Sequence, residues 1–544
     1  LHEAKLAKPH GTLPSADLDG NLCLYCQRDL NAIVGGIDYF LADSANYKFL
    51  YLAESYYFWQ IPPIINSIMA GSFVGRNIEK EQLETLLKLE QSAFVAIVGR
   101  RRVGKTELVW HALGKSLDFE MTGIQHANLP AQLANFANKF NQYSRPMVPV
   151  APPATWQQAF EWLKQWLGNQ KPGKKKVLFF DELPWMATAR ANFLELLGHF
   201  WNDWAARNNV LLIICGSAAS WMIRQVIHHK GSLHNRITHN IHLKPFTLAE
   251  TEKLVHANGI RMERYQQTML YMVAGGIPFY LSHMQQGLSV PQQIDRLCFA
   301  PGGLLKDEFT RLFSALYDQP HYHINIIRVL ASKWQGLTRA ELVQATGLKD
   351  GGSFSRVLEE LEASDFIMAI APFAKKKKDI LYRLTDFYCL FYLKFMEPRK
   401  KSNAGSFEQM AQSQAWKIWA GYAFENICFQ HLPQIKQALG ISAIIAETSS
   451  FLYKGGKDNP GFQIDMLINR ADGIIHLCEC KFYDGPLTIT KAYADTLRNR
   501  RVQFREITKS RKTIYTMLIT PFGLVQNDYA GLPEHTFGLD VLFM

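Results

Sequence analysis

A chain of 544 residues has room for three or four domains of about 100–200 residues each, and 48% hydrophobic with 20% charged residues describes a globular protein with real cores. A formal net charge of +11 favours anionic partners such as nucleotides or nucleic acid, although a generally basic surface would give the same number. No run of about 18 uncharged apolar residues argues for a membrane span, no signal peptide is recognisable, and eight cysteines, several inside apolar runs, read as the reduced thiols of a cytoplasmic protein.

Residues 1–68 differ from the rest of the chain. The chain begins with Leu1, and no hydrophobic period persists through residues 9–20. Cys23 and Cys26 form a lone C-x-x-C. A closed zinc site needs four ligands and no second pair lies nearby, which argues against zinc. Met69 stands just before Phe73-Val74-Gly75-Arg76, so the expectation is that residues 1–68 are upstream sequence and the working protein is 544 − 68 = 476 residues. The competing reading is a small accessory N-terminal domain.

From Arg76 and Glu79 the chain leads into a helix, and residues 94–98 (Phe-Val-Ala-Ile-Val) read as a buried strand. Gly99-Arg100-Arg101-Arg102-Val103-Gly104-Lys105-Thr106 comes next, fitting G-x-x-x-x-G-K-[ST] between that strand and a helix. Glycines let backbone N–H groups turn inward on a phosphate, Lys105 meets the β/γ charge, and the Thr106 hydroxyl can hold Mg²⁺. Residues 127–173 are helical in pattern, rich in Trp and Gln. Residues 177–182 are four apolar residues running into Asp181 and Glu182. A buried parallel strand ending there places Asp181 beside the Mg²⁺ and lets Glu182 polarise the attacking water. A third apolar strand, 210–217, ends in Ser217, a candidate for sensing the γ-phosphate. Arg236 is a candidate cation for the transferred phosphate, or an ordinary surface arginine.

Residues 247–316 read as a helical lid broken by Gly275-Gly276-Ile277-Pro278, either a structural kink or backbone aimed at the adenine, with Pro278 then part of the nucleotide site. Residues 320–397 have winged-helix grammar: helices at 323–332, 338–346 (Thr338 as N-cap) and 353–364, then strands at 366–368 and 381–384. The third helix and the lysines at 375–378 would grip DNA phosphates or, equally, belong to interdomain packing and a solvated turn.

From about 402 a second constellation appears. A helix at 416–430 carries Glu425, and residues 462–468 form a strand containing Asp465. Asp472-Gly473 signals a tight hairpin, returning through 474–481. Period two puts Glu479 and Lys481 on one face, with Cys478 and Cys480 on the other. The hairpin would bring Asp465 beside Glu479, two carboxylates for a divalent metal, with Lys481 balancing a scissile phosphate; the bland alternative is a surface hairpin. A helix at 491–507 and its tail add Arg498, Arg500, Arg501, Arg505, Lys509, Arg511 and Lys512 as a basic face.

Phe73-Val74-Gly75-Arg76, the loop 99–106, Asp181-Glu182-Leu183-Pro184, Cys215-Gly216-Ser217 and Gly275-Gly276-Ile277-Pro278 together resemble the archaeal-type ATPases, in the signal-transduction branch of AAA-like P-loop NTPases. The likeness runs on through the winged helix to a C-terminal domain resembling the PD-(D/E)XK nuclease superfamily, here Asp465 and Glu479-Cys480-Lys481, with Glu425 as a further catalytic candidate. Two residues ahead of Asp465, where that family often has an acid, this chain has Gln463. The resemblance implies an α/β fold: a P-loop core (69–246), helical lid (247–319), winged helix (320–398) and restriction-endonuclease-like domain (399–544). It implies ATP and Mg²⁺ as cofactors, nucleic acid as a partner (DNA before RNA), and nucleotide-dependent homo-oligomers. The expected function is an ATP-hydrolysing switch gating a metal-dependent nuclease domain. The alternative is an ATP-dependent regulator whose winged helix and C-terminal domain bind partners without cleavage.

Overall fold

The computed structural model describes residues 73–544 apart from 189–190, 229–230, 234, 376, 400–405 and 457–459. The 1–68 segment, with Cys23 and Cys26, lies outside the described residues, and the fold is that of the unit Ser72–Met544.

Helix α1 (Asn77–Lys88) precedes β1 (Ala93–Val98), and α2 (Lys105–Leu113) comes after the glycine loop. Then come β2 (Leu117–Thr122), α3 (Leu129–Ser144), α4 (Trp156–Gly168), β3 (Lys176–Asp181), α5 (Phe193–Asp203), β4 (Val210–Gly216) and β5 (His239–His242). The strands form one parallel sheet in the order β2-β3-β4-β1-β5. Every residue of β1, β3 and β4 is buried, as an apolar run covered on both faces requires. Alternate residues serve the two faces: Val95 and Ile97 pack in the cluster with Leu108 and Val109 of α2, and Phe94 and Ala96 in that of Phe136, Phe160 and Phe200. Asn128 and Thr155 cap α3 and α4 through their side-chain oxygens, which splits the helical 127–173 stretch in two.

In the lid, α6 (Leu248–Ala257) opens on a capping box between Thr247 and Glu250, and α7 (Arg264–Ala274) stops at Gly275 and Gly276, with φ of 67° and 65°. The break has a structural cause. The Phe246 N–H donates to Gly276 O at 2.7 Å, and the Tyr271 hydroxyl donates to Phe246 O at 2.7 Å.

Next come α8 (Glu308–Leu316), α9 (Pro320–Ala331), β6 (Leu337–Thr338), α10 (Arg339–Thr346), α11 (Gly352–Ala363), β7 (Ile367–Ile370) and β8 (Leu381–Leu384). The strands make a small antiparallel sheet, β6-β8-β7, and Thr338 caps α10. The apolar face of α11 is buried, and its Glu360 accepts from Arg224 of the ATP-loop half at 2.6 Å. Its exposed positions include Arg356, Glu359 and Glu362, a poor surface for phosphates. At the β7–β8 hairpin Pro372 bridges to Ser450, and Phe373 N–H donates to Ser450 O at 3.0 Å. The hairpin therefore packs on the last domain while Lys375 and Lys378 stay exposed.

After α12 (Phe387–Phe391), the C-terminal part runs α13 (Gln414–Gln430), β9 (Ala446–Tyr453), β10 (Phe462–Arg470), β11 (Ile474–Cys480), α14 (Lys491–Thr508), β12 (Thr513–Ile519) and β13 (His535–Phe537). The sheet is mixed: β9, β10 and β11 are antiparallel, and β11, β12 and β13 parallel. Ile427 and Cys428 of α13 share a cluster with Cys478 and Cys480, while Phe504 of α14 packs with Ile475 and Leu477. Strands β2, β5, β6, β9, β12 and β13 were not expected from the sequence.

Gly276 tests this packing. A Cβ there would lie 2.2 Å from Phe246 O at a φ of 65°, so Gly276→Val should cost about 3 kcal/mol or more. Gly287, also at positive φ but with open space around it, should cost about 1–2 kcal/mol as Gly287→Val. Thermal unfolding of the two variants checks the order.

Candidate functional site

The loop 99–106, Asp181 and Ser217 lie at or just beyond the ends of β1, β3 and β4, with β4 between the other two, so parallel pairing brings them to one sheet edge. Gly99 and Gly104 adopt φ of 149° and 91°, turning the loop backbone inward. A Cβ on Gly99 would meet Leu243 O at 2.3 Å, whereas one on Gly104 would meet nothing within 4 Å, as a phosphate cradle requires. Lys105 is buried, and its ammonium donates to Gly99 O and Arg100 O, each at 3.0 Å, and to Ser217 Oγ at 3.4 Å. The Thr106 hydroxyl donates to Asp181 Oδ2 at 2.8 Å. A hydroxyl and a carboxylate in contact beside a phosphate cradle are the hard oxygen donors that Mg²⁺ takes, so these residues fit the ion. Burial first, and Glu182 second, push the Asp181 carboxyl above the usual range, against hydrogen bonds from Cys215 and Thr106.

Glu182 lies in the left-handed region at φ 49°. Its carboxylate accepts from the Ser217 N–H at 2.9 Å and from the Ser217 hydroxyl. The expected water-polarising acid and the expected γ-phosphate sensor are thus in direct contact.

The sequence of residues 73–284 matches a family described as an ATPase domain predominantly from Archaea. The chain carries an archaeal-type P-loop ATPase domain. An uncharacterized protein of Methanocaldococcus jannaschii is 23% identical over 437 residues, covering 79% of this chain and 92% of the relative. Among solved structures, the Walker-type ATPase PABY2304 of Pyrococcus abyssi aligns at 17% identity and a TM-score of 0.42, over 59% of this chain and 96% of that one. The ORC2 protein of Aeropyrum pernix aligns at 15% identity and a TM-score of 0.37, over 59% and 92%. Among the described residues, no helix is long and apolar enough to cross a membrane.

The arginines of the ATPase loop point into the protein. Arg100 is fully buried against Asp386, just after β8, with its guanidinium 4.9 Å from the Phe366 ring centre. Arg102, at φ 71°, pairs with Glu308 of α8 at 2.9 Å and lies 4.3 Å over Phe279, the residue after Pro278. Arg101 is half-buried. Arg76 donates to Val103 O at 3.2 Å and Lys244 O at 2.6 Å and covers Phe246 at 4.5 Å, bracing the loop from behind. Arg236 is exposed in a turn, and Pro278 opens the short turn Pro278–Leu281. Sequence reasoning missed Arg76, Glu308 and Asp386. Arg76 had a signal, since it ends Phe73-Val74-Gly75-Arg76 just before a helix start; Asp386, 286 residues from its partner, had none.

In the C-terminal sheet the hairpin does bring Asp465, Glu479 and Lys481 together. The Lys481 ammonium lies 3.0 Å from Asp465 Oδ2 and 3.0 Å from Glu479 Oε2, and the Cys480 N–H donates to Asp465 Oδ2 at 3.0 Å. Arg500 of α14 donates to Glu479 Oε1 at 2.5 Å. Glu425, on α13, pairs with Arg383 of β8 at 3.0 Å, both side chains buried. Among the described residues no group of three or more His, Cys, Asp or Glu is arranged to hold a metal; each of these carboxylates has a protein cation on it. Burial alone would lower the Lys481 ammonium, but Glu479 and Asp465 outweigh it and hold it above the usual lysine range. Burial and then Asp465 raise Glu479, despite Lys481 and Arg500.

Burial, with Asp465 second, pushes the Glu425 carboxyl up to about 7, against Arg383. Between the ordinary glutamate range and about 7 the folded state then holds the extra proton, so stability falls as pH rises through that window. Melting temperatures taken from pH 5 to pH 8 should decline for the wild-type chain, and Glu425→Gln should flatten the decline.

Proposed function

We propose that the protein is an ATP-hydrolysing switch whose nucleotide state gates a metal-dependent, DNA-acting nuclease-like domain. One observation carries the gating. Asp386 and Arg383 lie three residues apart where β8 leads into α12; Asp386 holds Arg100 of the phosphate loop, and Arg383 holds Glu425 of the C-terminal carboxylate cluster. A short buried segment thus touches both sites through charge, and a shift at one end is felt at the other.

At the loop, the Lys105 ammonium would leave Gly99 O and Arg100 O for the β/γ-phosphates, and Thr106 and Asp181 would hold Mg²⁺, which offsets the charge of the transferred group. Glu182 polarises the attacking water once its carboxylate leaves Ser217, and the freed Ser217 hydroxyl meets the γ-phosphate. In the last domain, the order α13, three antiparallel strands, α14 and a parallel strand, with Asp465, Glu479 and Lys481 in contact, supports the nuclease-like reading. Asp465 and Glu479 would hold the metal, while Lys481 would face the scissile phosphate. Exposed Lys375 and Lys378, with Arg505, Lys509 and Arg511, supply the basic surface for DNA.

The pairing of each carboxylate with a protein cation favours a second reading. In it the winged helix and C-terminal domain bind partners without cutting, and ATP governs only their arrangement.

Lys105→Ala should abolish ATP binding, and Glu182→Gln should keep ATP bound while slowing hydrolysis by about 10²-fold or more. A nucleotide-binding isotherm beside a phosphate-release assay reads both; wild-type turnover in Glu182→Gln would remove its assigned role. Asp465→Ala and Glu479→Ala should each abolish cleavage of DNA in Mg²⁺ or Mn²⁺ while phosphate release from ATP continues. No cleavage by the wild-type chain with any nucleotide leaves the regulator reading standing.

A further inference from the structure

We propose that Arg500 is the internal counter-ion of the C-terminal carboxylate site, holding Glu479 in the metal-free state and leaving it when a divalent cation binds. This rests on the reading of Asp465 and Glu479 as a cation site. By sequence alone, Arg500 and Arg501 belong to a basic face for nucleic acid. Both are instead paired within the protein, Arg500 with Glu479 and Arg501 with Glu534 at 2.6 Å.

The two oxygens of Glu479 are divided between two cations. Lys481 takes Oε2 and Arg500 takes Oε1, and the Glu479 side chain is only 3% exposed. Lys481 and the Cys480 N–H both use Oδ2 of Asp465, so Oδ1 is the oxygen they do not use. Oε2 faces Lys481 without a hydrogen bond, so a divalent cation that takes both oxygens of Glu479 needs the Oε1 lone pairs that Arg500 now occupies.

Charge gives the same result. Two carboxylates and two protein cations are locally neutral, and adding a dication beside them would leave an uncompensated double charge in a largely buried site. One protein cation has to move. Lys481 touches both carboxylates and directly follows β11, which carries Glu479, whereas Arg500 touches one and reaches in from α14. Arg500 is the more readily released. Tyr493, two turns earlier on α14, has a buried hydroxyl without a hydrogen-bond partner among the described residues, in the field of Glu479 and Arg500. It offers an acceptor to the displaced guanidinium. Freed from Glu479, the planar fork of Arg500 is suited to a phosphate oxygen pair.

The test is Mn²⁺ binding to the full, nucleotide-free chain, read from the free-ion electron paramagnetic resonance signal. It compares wild type, D465A, R500Q and R500K, with far-ultraviolet circular dichroism to check folding. D465A should lose a Mn²⁺ that the wild-type chain holds, and R500Q should bind that ion about fivefold or more tightly than wild type. R500K, which keeps the charge on a shorter, single-headed donor, should fall between them and carries the test if R500Q does not fold. An R500Q affinity equal to or weaker than wild type, with the ion still lost in D465A, overturns the role of Arg500. If wild type and R500Q bind no more Mn²⁺ than D465A, the cation-site reading itself fails.

Discussion

The arrangement depends on a buried ion pair between Arg100 and Asp386. A guanidinium 1% exposed is tolerated only with a carboxylate against it. Asp386 does two things at once: Oδ2 meets Arg100, and Oδ1 accepts from the Cys389 N–H at 2.8 Å, capping α12. Removing it would leave a buried charge unpaired and a helix uncapped. With Arg102 held by Glu308, the variable positions of the phosphate loop anchor it to later parts of the chain, and its backbone is left for phosphate.

Local physics made the ATPase half legible. Runs such as Phe94-Val95-Ala96-Ile97-Val98 are apolar on both faces because β1 lies inside a parallel sheet, and the glycine loop needs backbone angles that few other residues allow. The cap at Thr338 likewise announces its helix, whereas the helix expected from 416 in fact opens at Gln414 on the cap Ser413. Edge strands were less visible. β5 (His-Asn-Ile-His) has one buried residue, and β9 (Ala-Glu-Thr-Ser-Ser-Phe-Leu-Tyr) runs four polar residues into three apolar ones, without the alternation that marks a half-buried strand.

What the sequence could not reveal were charges meeting across long separations. Arg100 and Asp386 are 286 residues apart, Arg383 and Glu425 are 42, and Glu479 and Arg500 are 21. None has a spacing rule, because each pairing is set by how whole elements stack. Arg500 shows the consequence. Its sequence neighbours suggest a solvated basic face, and only the packing of α14 over β11 turns it toward a carboxylate.

In the switch we propose, those pairs are the route by which a nucleotide at one edge would reach a carboxylate cluster built by another sheet. In this structure Lys105 neutralises two loop carbonyls, one of them that of Arg100. A phosphate that draws the ammonium away leaves the Arg100 carbonyl without its donor, and the peptide must turn to find another. The side chain of the same residue is fixed against Asp386, so the turn strains that contact. Asp386, the cap of α12, would then shift with the start of that helix, and Arg383 lies three residues back along the same backbone, holding Glu425. Because interiors are close-packed, such a shift would be transmitted and not absorbed.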